Sequence, residues 1–92
     1  MLEKDIERYL VDKIKQAGGH TYKFVSPSNR GVPDRICILF NQLFFVEVKR
    51  EGGKISPLQR VEIARLKSLG QAVYVIWSKD DVNDLIDLRR EL

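Results

Sequence analysis

Three charged residues, Asp34, Glu47 and Lys49, have the types and spacing that could do chemistry. Glu47 and Lys49 lie two positions apart in an apolar run, so on a β-strand their side chains would share one face. Such a pair alone could be an ordinary ion pair worth about 0–1 kcal/mol. Asp34 adds a second carboxylate, and two close carboxylates repel each other unless a cation lies between them. The pattern therefore indicates a site for magnesium or manganese, which prefer oxygen ligands.

A β-hairpin is the element that would bring these three residues together. The apolar runs 34–40 and 43–49 predict two strands, and Asn41-Gln42 is predicted to turn the chain between them. Paired residue numbers would then sum to about 83, which places Asp34 opposite Lys49. Glu47 would lie one diagonal step away, so the three groups could converge on one point.

The remaining patterns predict a mixed α/β sheet within a single domain covering residues 1–92, with no linker or repeat. A right-handed crossover through the second helix would make the third and fourth strands parallel, while the first three strands form a meander. Helices would pack against this sheet. The predicted elements are a helix at 2–17, strands at 20–25, 34–40 and 43–49, a helix from Ser56 to Gly70, a strand at 71–77 and a helix from Ser78 onward.

Composition excludes several classes of protein. A chain of 92 residues has a thin core, which makes a partner subunit plausible. No apolar run approaches the roughly 20 residues that span a bilayer, and the N-terminus is unlike a secretory signal, so we expect a cytoplasmic protein without a membrane partner. With a single cysteine, Cys37, and a single histidine, His20, the chain cannot build a disulfide framework or a four-ligand zinc cage. Any metal must be held by oxygens.

The charge is concentrated in the middle of the chain. The net charge is +3, but residues 20–70 carry nine basic and four acidic side chains. A basic centre suits a polyanion such as nucleic acid, although such a surface can also serve only to keep a protein in solution.

Taken together, these segments resemble the virus-type replication-repair nuclease (VRR-NUC) domain of the PD-(D/E)XK nuclease superfamily. The combined order of the motifs is specific, whereas Pro-Asp or Glu-x-Lys alone would be weak evidence. The resemblance covers almost the whole chain and implies a restriction-endonuclease-like αβββαβ core. It rests on Glu7 in the first helix, KFVS at 23–26, RGVPDR at 30–35, FVEVK at 45–49 and GGKISPLQ at 52–59.

The resemblance also implies roles for individual residues. Asp34 and Glu47 would ligate Mg²⁺ or Mn²⁺, together with the backbone carbonyl of Val48. Lys49 would orient or help deprotonate the attacking water, or stabilise charge on the phosphate. Glu7 would complete the site from the first helix.

Some of these assignments have structural alternatives. Glu7 lies one helical turn from Glu3, and either acid could be a solvated surface residue. Gln59 could contact the active site, or it could only close a capping box with Ser56. Five basic residues flank the carboxylates and are predicted to contact phosphates, although each could be an ordinary surface charge. These five are Arg30, Arg35, Arg50, Lys54 and Arg60.

The implied activity is a metal-dependent, structure-selective DNA endonuclease. Small phage and bacterial members of the family look like dimeric resolvases of four-way (Holliday) junctions, so we expect a homodimer that acts on branched DNA in phage replication or packaging, or in bacterial DNA repair. One alternative is a monomeric nuclease that cuts flaps or other branched DNA. The other is a non-catalytic nucleic-acid-binding module, but a pure binder has no need for adjacent carboxylates that repel phosphate.

Overall fold

One four-stranded mixed sheet organises the protein, and the computed structural model describes residues 1–92. The strands lie in sequence order, with β1-β2-β3 antiparallel and β3-β4 parallel. This arrangement confirms the predicted mixed sheet and order of elements. The elements are α1 (Glu3–Gln16), β1 (His20–Lys23), β2 (Arg35–Leu39), β3 (Gln42–Val48), α2 (Pro57–Ser68), β4 (Val73–Ile76) and α3 (Lys79–Arg90).

The hairpin between β2 and β3 turns one residue earlier than predicted. Arg35 pairs with Val46, so paired residue numbers sum to 81 and the expected sum of about 83 was wrong. The turn residues are Phe40 and Asn41, with φ angles of 54° and 60°. Positive φ at both central residues is what a two-residue type I′ turn needs. Phe40 adopts it although phenylalanine rarely does, because its ring packs against the core and under the guanidinium of Arg90.

The corrected register changes which residues face each other at the end of the hairpin. Continuing the ladder by one pair puts Asp34 opposite Glu47, not opposite Lys49 as predicted. Directly opposed residues share a face and have the shortest distance between their side chains. The two carboxylates are therefore closer neighbours than the sequence suggested.

The apolar core lies on one face of the sheet, beneath α1 and α3. Phe44, Val46 and Val48 alternate along β3 and are all fully buried on this face. The helices contribute Ile6, Leu10 and Ile14 from α1, and Val82, Leu85 and Ile86 from α3. No helix of the protein has both the length and the apolar character needed to cross a membrane.

The opposite face of the sheet has a different cover. Phe45 and Glu47 point away from the core side of β3, and α2 lies over Glu47. The one buried residue of α2 is Glu62, whereas Leu58 and Val61 are exposed. This side of the sheet therefore buries the carboxylates of Glu47 and Glu62 as well as the apolar ring of Phe45.

Candidate active site

Asp34 is fixed to both neighbouring strands. Its carboxylate Oδ2 accepts a hydrogen bond of 2.8 Å from the backbone N–H of Val48. Its backbone carbonyl accepts another, also 2.8 Å, from the N–H of Phe24 just beyond β1. Asp34 therefore has a defined position although it stands outside the regular strand.

Glu47 is a carboxylate buried beside this aspartate. Its side chain is 1% exposed. Its Oε2 accepts a 2.7 Å hydrogen bond from Nε2 of Gln59 and lies 3.3 Å from Nζ of Lys49. Its other oxygen, Oε1, is buried and has no hydrogen-bond partner. A buried polar atom without a partner is costly, which indicates a site made to bind something.

The electrostatics of Glu47 point to a positively charged ligand. Burial, and then the negative charge of Asp34, raise the pKa of Glu47 from 4.5 to about 7, and Lys49 only partly opposes this. A divalent cation would favour the ionised form and satisfy the unpartnered oxygen. Two neighbouring carboxylates are the kind of oxygen ligands that suit Mg²⁺ or Mn²⁺. The side chains therefore fit such a metal.

Gln59 performs both of the roles between which the sequence could not choose. Its side-chain Oε1 accepts a hydrogen bond from the backbone N–H of Ser56 at 2.9 Å. Its backbone N–H donates to Oγ of Ser56 at 3.2 Å. These two bonds form the predicted capping box at the start of α2. With the amide oxygen engaged there, the NH₂ group donates to Glu47. The helix cap and the carboxylate are thus joined through one side chain.

The loop before Asp34 depends on a glycine that packs against α2. Gly31 has φ of +87°, and a Cβ there would lie only 2.5 Å from the carbonyl carbon of Leu58. Any side chain would therefore push the loop off the first turn of α2. This contact joins the loop to a helix that begins 26 residues later in the sequence.

Glu7 lies on the other side of the sheet from the two carboxylates. Its Oε2 is 2.8 Å from Nε of Arg35, whose Nη1 donates to Thr21 at 3.3 Å. Arg35 pairs with Val46, so its side chain is on the α1 face, opposite to Asp34. No group of three or more His, Cys, Asp or Glu side chains could hold one metal ion. The structure does not bring Glu7 into the carboxylate pair, and its catalytic role stays a prediction.

The predicted phosphate-contacting residues are mostly free on the surface. Arg35 alone has an ion-pair partner, Glu7. The other four are exposed and form no ion pair, so they are available to an anionic ligand. These four are Arg30, Arg50, Lys54 and Arg60.

Cys37 is excluded as a nucleophile. Its side chain is fully buried in the core, and burial raises its pKa to about 12. A thiol acts as a nucleophile in its ionised form, so this one is inert at neutral pH.

A mixed sheet whose hairpin presents Asp34, Glu47 and Lys49 at one end defines a nuclease core of the PD-(D/E)XK class. Residues 3–80 match the family model described as the VRR-NUC domain. A solved structure described as a VRR_NUC domain has a TM-score of 0.83 and 28% sequence identity, covering 92% of this chain and 94% of the other.

One similar protein has a name that agrees with this class. The protein named "Putative nuclease p44", of Acyrthosiphon pisum secondary endosymbiont phage 1, is 49% identical over 79 residues, or 85% of each chain. The chain belongs to the VRR-NUC family. It is a nuclease domain whose substrate is nucleic acid, which confirms the predicted family and the prediction of a nuclease.

Proposed function

We propose that this protein is a divalent-metal-dependent DNA endonuclease that cuts four-way junctions as a homodimer. The observation that carries the catalytic part is the buried Glu47 carboxylate, which has one unpartnered oxygen and lies beside Asp34. A module that only binds DNA gains nothing from burying acids next to a phosphate, so the pair favours an enzyme.

Asp34, Glu47 and the carbonyl of Val48 are the groups that would hold the cation. When bound, a divalent cation polarises a phosphate and lowers the pKa of water near neutrality. Gln59 holds one oxygen of Glu47 and leaves the other without a protein partner. Lys49, whose Nζ is 3.3 Å from Glu47, orients the attacking water or stabilises negative charge on the phosphate.

The dimer is supported by apolar side chains on an uncovered part of the sheet. Ile38 and Leu43 are cross-strand partners, and Tyr22 follows the same alternation on β1. All three are exposed on the face that carries Asp34 and Glu47. A two-fold pair of copies that buries this patch would present two active sites to one junction, which has two strands to cut. The similar phage protein is consistent with a phage origin.

The catalytic part is tested with strand-labelled four-way, three-way, flap, fork and linear DNA substrates. We expect cleavage of four-way junctions in Mg²⁺ or Mn²⁺, and binding without cleavage in Ca²⁺. Glu47→Ala and Lys49→Ala should lower cleavage by about a thousandfold or more, because the first removes a ligand of the cation and the second removes the positive charge beside the reacting phosphate. Lys67→Ala, on the exposed last turn of α2, is the matched control and should cut normally.

Two results would contradict parts of this proposal. Wild-type protein that binds junctions but cuts no DNA in either metal would make it a binding module. Preferred cleavage of flaps would assign it to the alternative repair-type activity.

The dimer is tested separately by sedimentation at micromolar concentration. We expect a species of twice the 10.7 kDa chain mass, and Ile38→Glu should shift it to monomer with loss of paired junction cuts. Leu69→Glu, at an exposed residue after α2, is the control. A monomer with full junction cleavage would remove the dimer from the proposal.

A further inference from the structure

A positively charged pocket lies on the opposite face of β2 from Asp34. It has a volume of about 300 Å³ between one side of α1 and the ends of β1 and β2. Six residues line it: Lys4, Glu7, Arg8, Val11, Lys23 and Arg35. Four of these are basic and one is acidic, so the pocket is positively charged.

The acid in this pocket is already used. Glu7 is the ion-pair partner of Arg35, while Lys4, Arg8 and Lys23 have none and are exposed. Lys4 and Arg8 are four positions apart on α1, where like charges destabilise a helix. An arrangement that breaks a local rule in this way often marks a binding site. A bound anion would relieve the repulsion.

Arg35 is preorganised to donate into the pocket. Glu7 holds its Nε and Thr21 holds Nη1, which leaves Nη2 without a protein partner. Arginine is the side chain best suited to phosphate, because its donors lie in a rigid plane. The Glu7–Arg35 pair therefore fixes the direction of a donor, as well as neutralising a charge.

We propose that this pocket binds a backbone phosphate of the nucleic-acid substrate, adjacent along the strand to the phosphate at the carboxylate pair. The position follows from the chain, because Arg35 directly follows Asp34 and Lys23 pairs with Arg35 in the sheet. A nucleic-acid strand that passes the end of β2 would thus be bound on both faces of the β-sheet. This inference rests on the proposed function only for the identity of the ligand as substrate DNA.

The test is DNA binding in Ca²⁺, where affinity can be measured without cleavage. Lys23→Gln and Arg8→Gln each remove one cation from the pocket, and Lys67→Gln removes one from the far end of α2. Losing a phosphate contact lowers the slope of log affinity against log salt by about 0.7–0.9. We expect that decrease and a several-fold weaker affinity for both pocket variants, with neither effect in Lys67→Gln. Arg8→Lys should retain the wild-type slope.

A substrate scan locates the contact. Single neutral methylphosphonates are placed at each position near the cut site, and binding is measured with wild type and Lys23→Gln. We expect one position next to the scissile phosphate where the neutral group weakens wild-type binding but has no further effect on the variant, since both changes remove the same contact.

The outcomes separate the two proposals. Pocket variants with the slope and affinity of Lys67→Gln would overturn the phosphate pocket and leave the nuclease function intact. A wild-type protein that binds DNA with the expected slopes but never cuts would support the pocket and overturn the proposed catalysis. A wild-type protein that binds no nucleic acid would overturn both.

Discussion

The two faces of β3 bury different kinds of side chain. On one face Phe44, Val46 and Val48 pack without exposed surface against α1 and α3. On the other face the Glu47 side chain is just as inaccessible, yet it carries a pKa raised to about 7 and an oxygen without a partner. Apolar burial on the first face stabilises the fold, whereas burial of a carboxylate on the second face destabilises it.

This contrast explains why α2 packs so differently from the other helices. α1 and α3 each bury three apolar residues, whereas α2 buries only Glu62, whose Oε1 is 3.1 Å from Nη1 of Arg65. Leu58 and Val61 are exposed on the outside of α2. The helix serves to position Gln59 over Glu47 more than to complete a core. Stability and chemistry are therefore divided between the two sides of a single strand.

The largest effect should come from damaging the apolar face. Leu10 of α1 is fully buried in the core cluster. Leu10→Ala should lower the free energy of unfolding by about 2–5 kcal/mol, because it removes buried methyl groups and leaves a cavity. Urea unfolding followed by circular dichroism measures this loss.

The control for this change is a leucine on α2. Leu58 is 52% exposed, so Leu58→Ala should change stability by no more than about 0.5 kcal/mol. Equal losses at Leu10 and Leu58 would mean that α2 contributes to the core, which would contradict the division between the two faces.

A change in the opposite direction is expected on the polar face. In metal-free buffer, Glu47→Gln should raise the free energy of unfolding at pH 8 by about 1–3 kcal/mol, while abolishing cleavage. The native state holds a proton on Glu47 between its ordinary pKa of 4.5 and its raised pKa of about 7, and the unfolded state does not. Wild-type stability therefore falls as pH rises through this range, by up to about 3 kcal/mol. Glutamine does not titrate, so the Glu47→Gln variant does not lose this stability as the pH rises.

The measurement is urea unfolding at pH 5 and pH 8 in the presence of a chelator. The variant and wild type should differ little at pH 5 and most at pH 8. The exposed acid Glu51 provides a control, and Glu51→Gln should follow the wild-type profile. If the free energy of unfolding changed equally with pH in Glu47→Gln and wild type, burial would not raise the pKa of this carboxylate.

Most residues of the apolar face of β3 could be predicted from the sequence. Apolar side chains alternate along 43–48 and indicate the buried side of β3, and Gly18 and Gly70 lie just beyond the ends of α1 and α2. Asp34, Glu47 and Lys49 were also readable, because their types and order along the hairpin carry the pattern. These features depend on local periodicity, which a sequence displays directly.

What the sequence did not reveal depends on contacts between distant elements. The turn includes Phe40, whose φ angle is unfavourable for phenylalanine. Contacts of its ring with the core and with Arg90 stabilise this conformation, which is a tertiary effect. The pair between Glu7 and Arg35 joins residues 28 positions apart, and no local pattern predicts it. Because the turn lies one residue earlier, Asp34 is opposite Glu47 and not opposite Lys49.

The smallest expected effect separates the two roles of Gln59. Ser56→Ala removes the side-chain acceptor of the capping box, and Gln59→Ala removes its other half together with the bond to Glu47. Each should lower the free energy of unfolding by about 1 kcal/mol, the usual cost of losing a cap. Cleavage should survive in Ser56→Ala and fall in Gln59→Ala, because only the second change removes the hydrogen bond that holds Oε2 of Glu47. Equal cleavage by the two variants would reduce Gln59 to a helix cap, and the polar face would then need another group to hold its carboxylate.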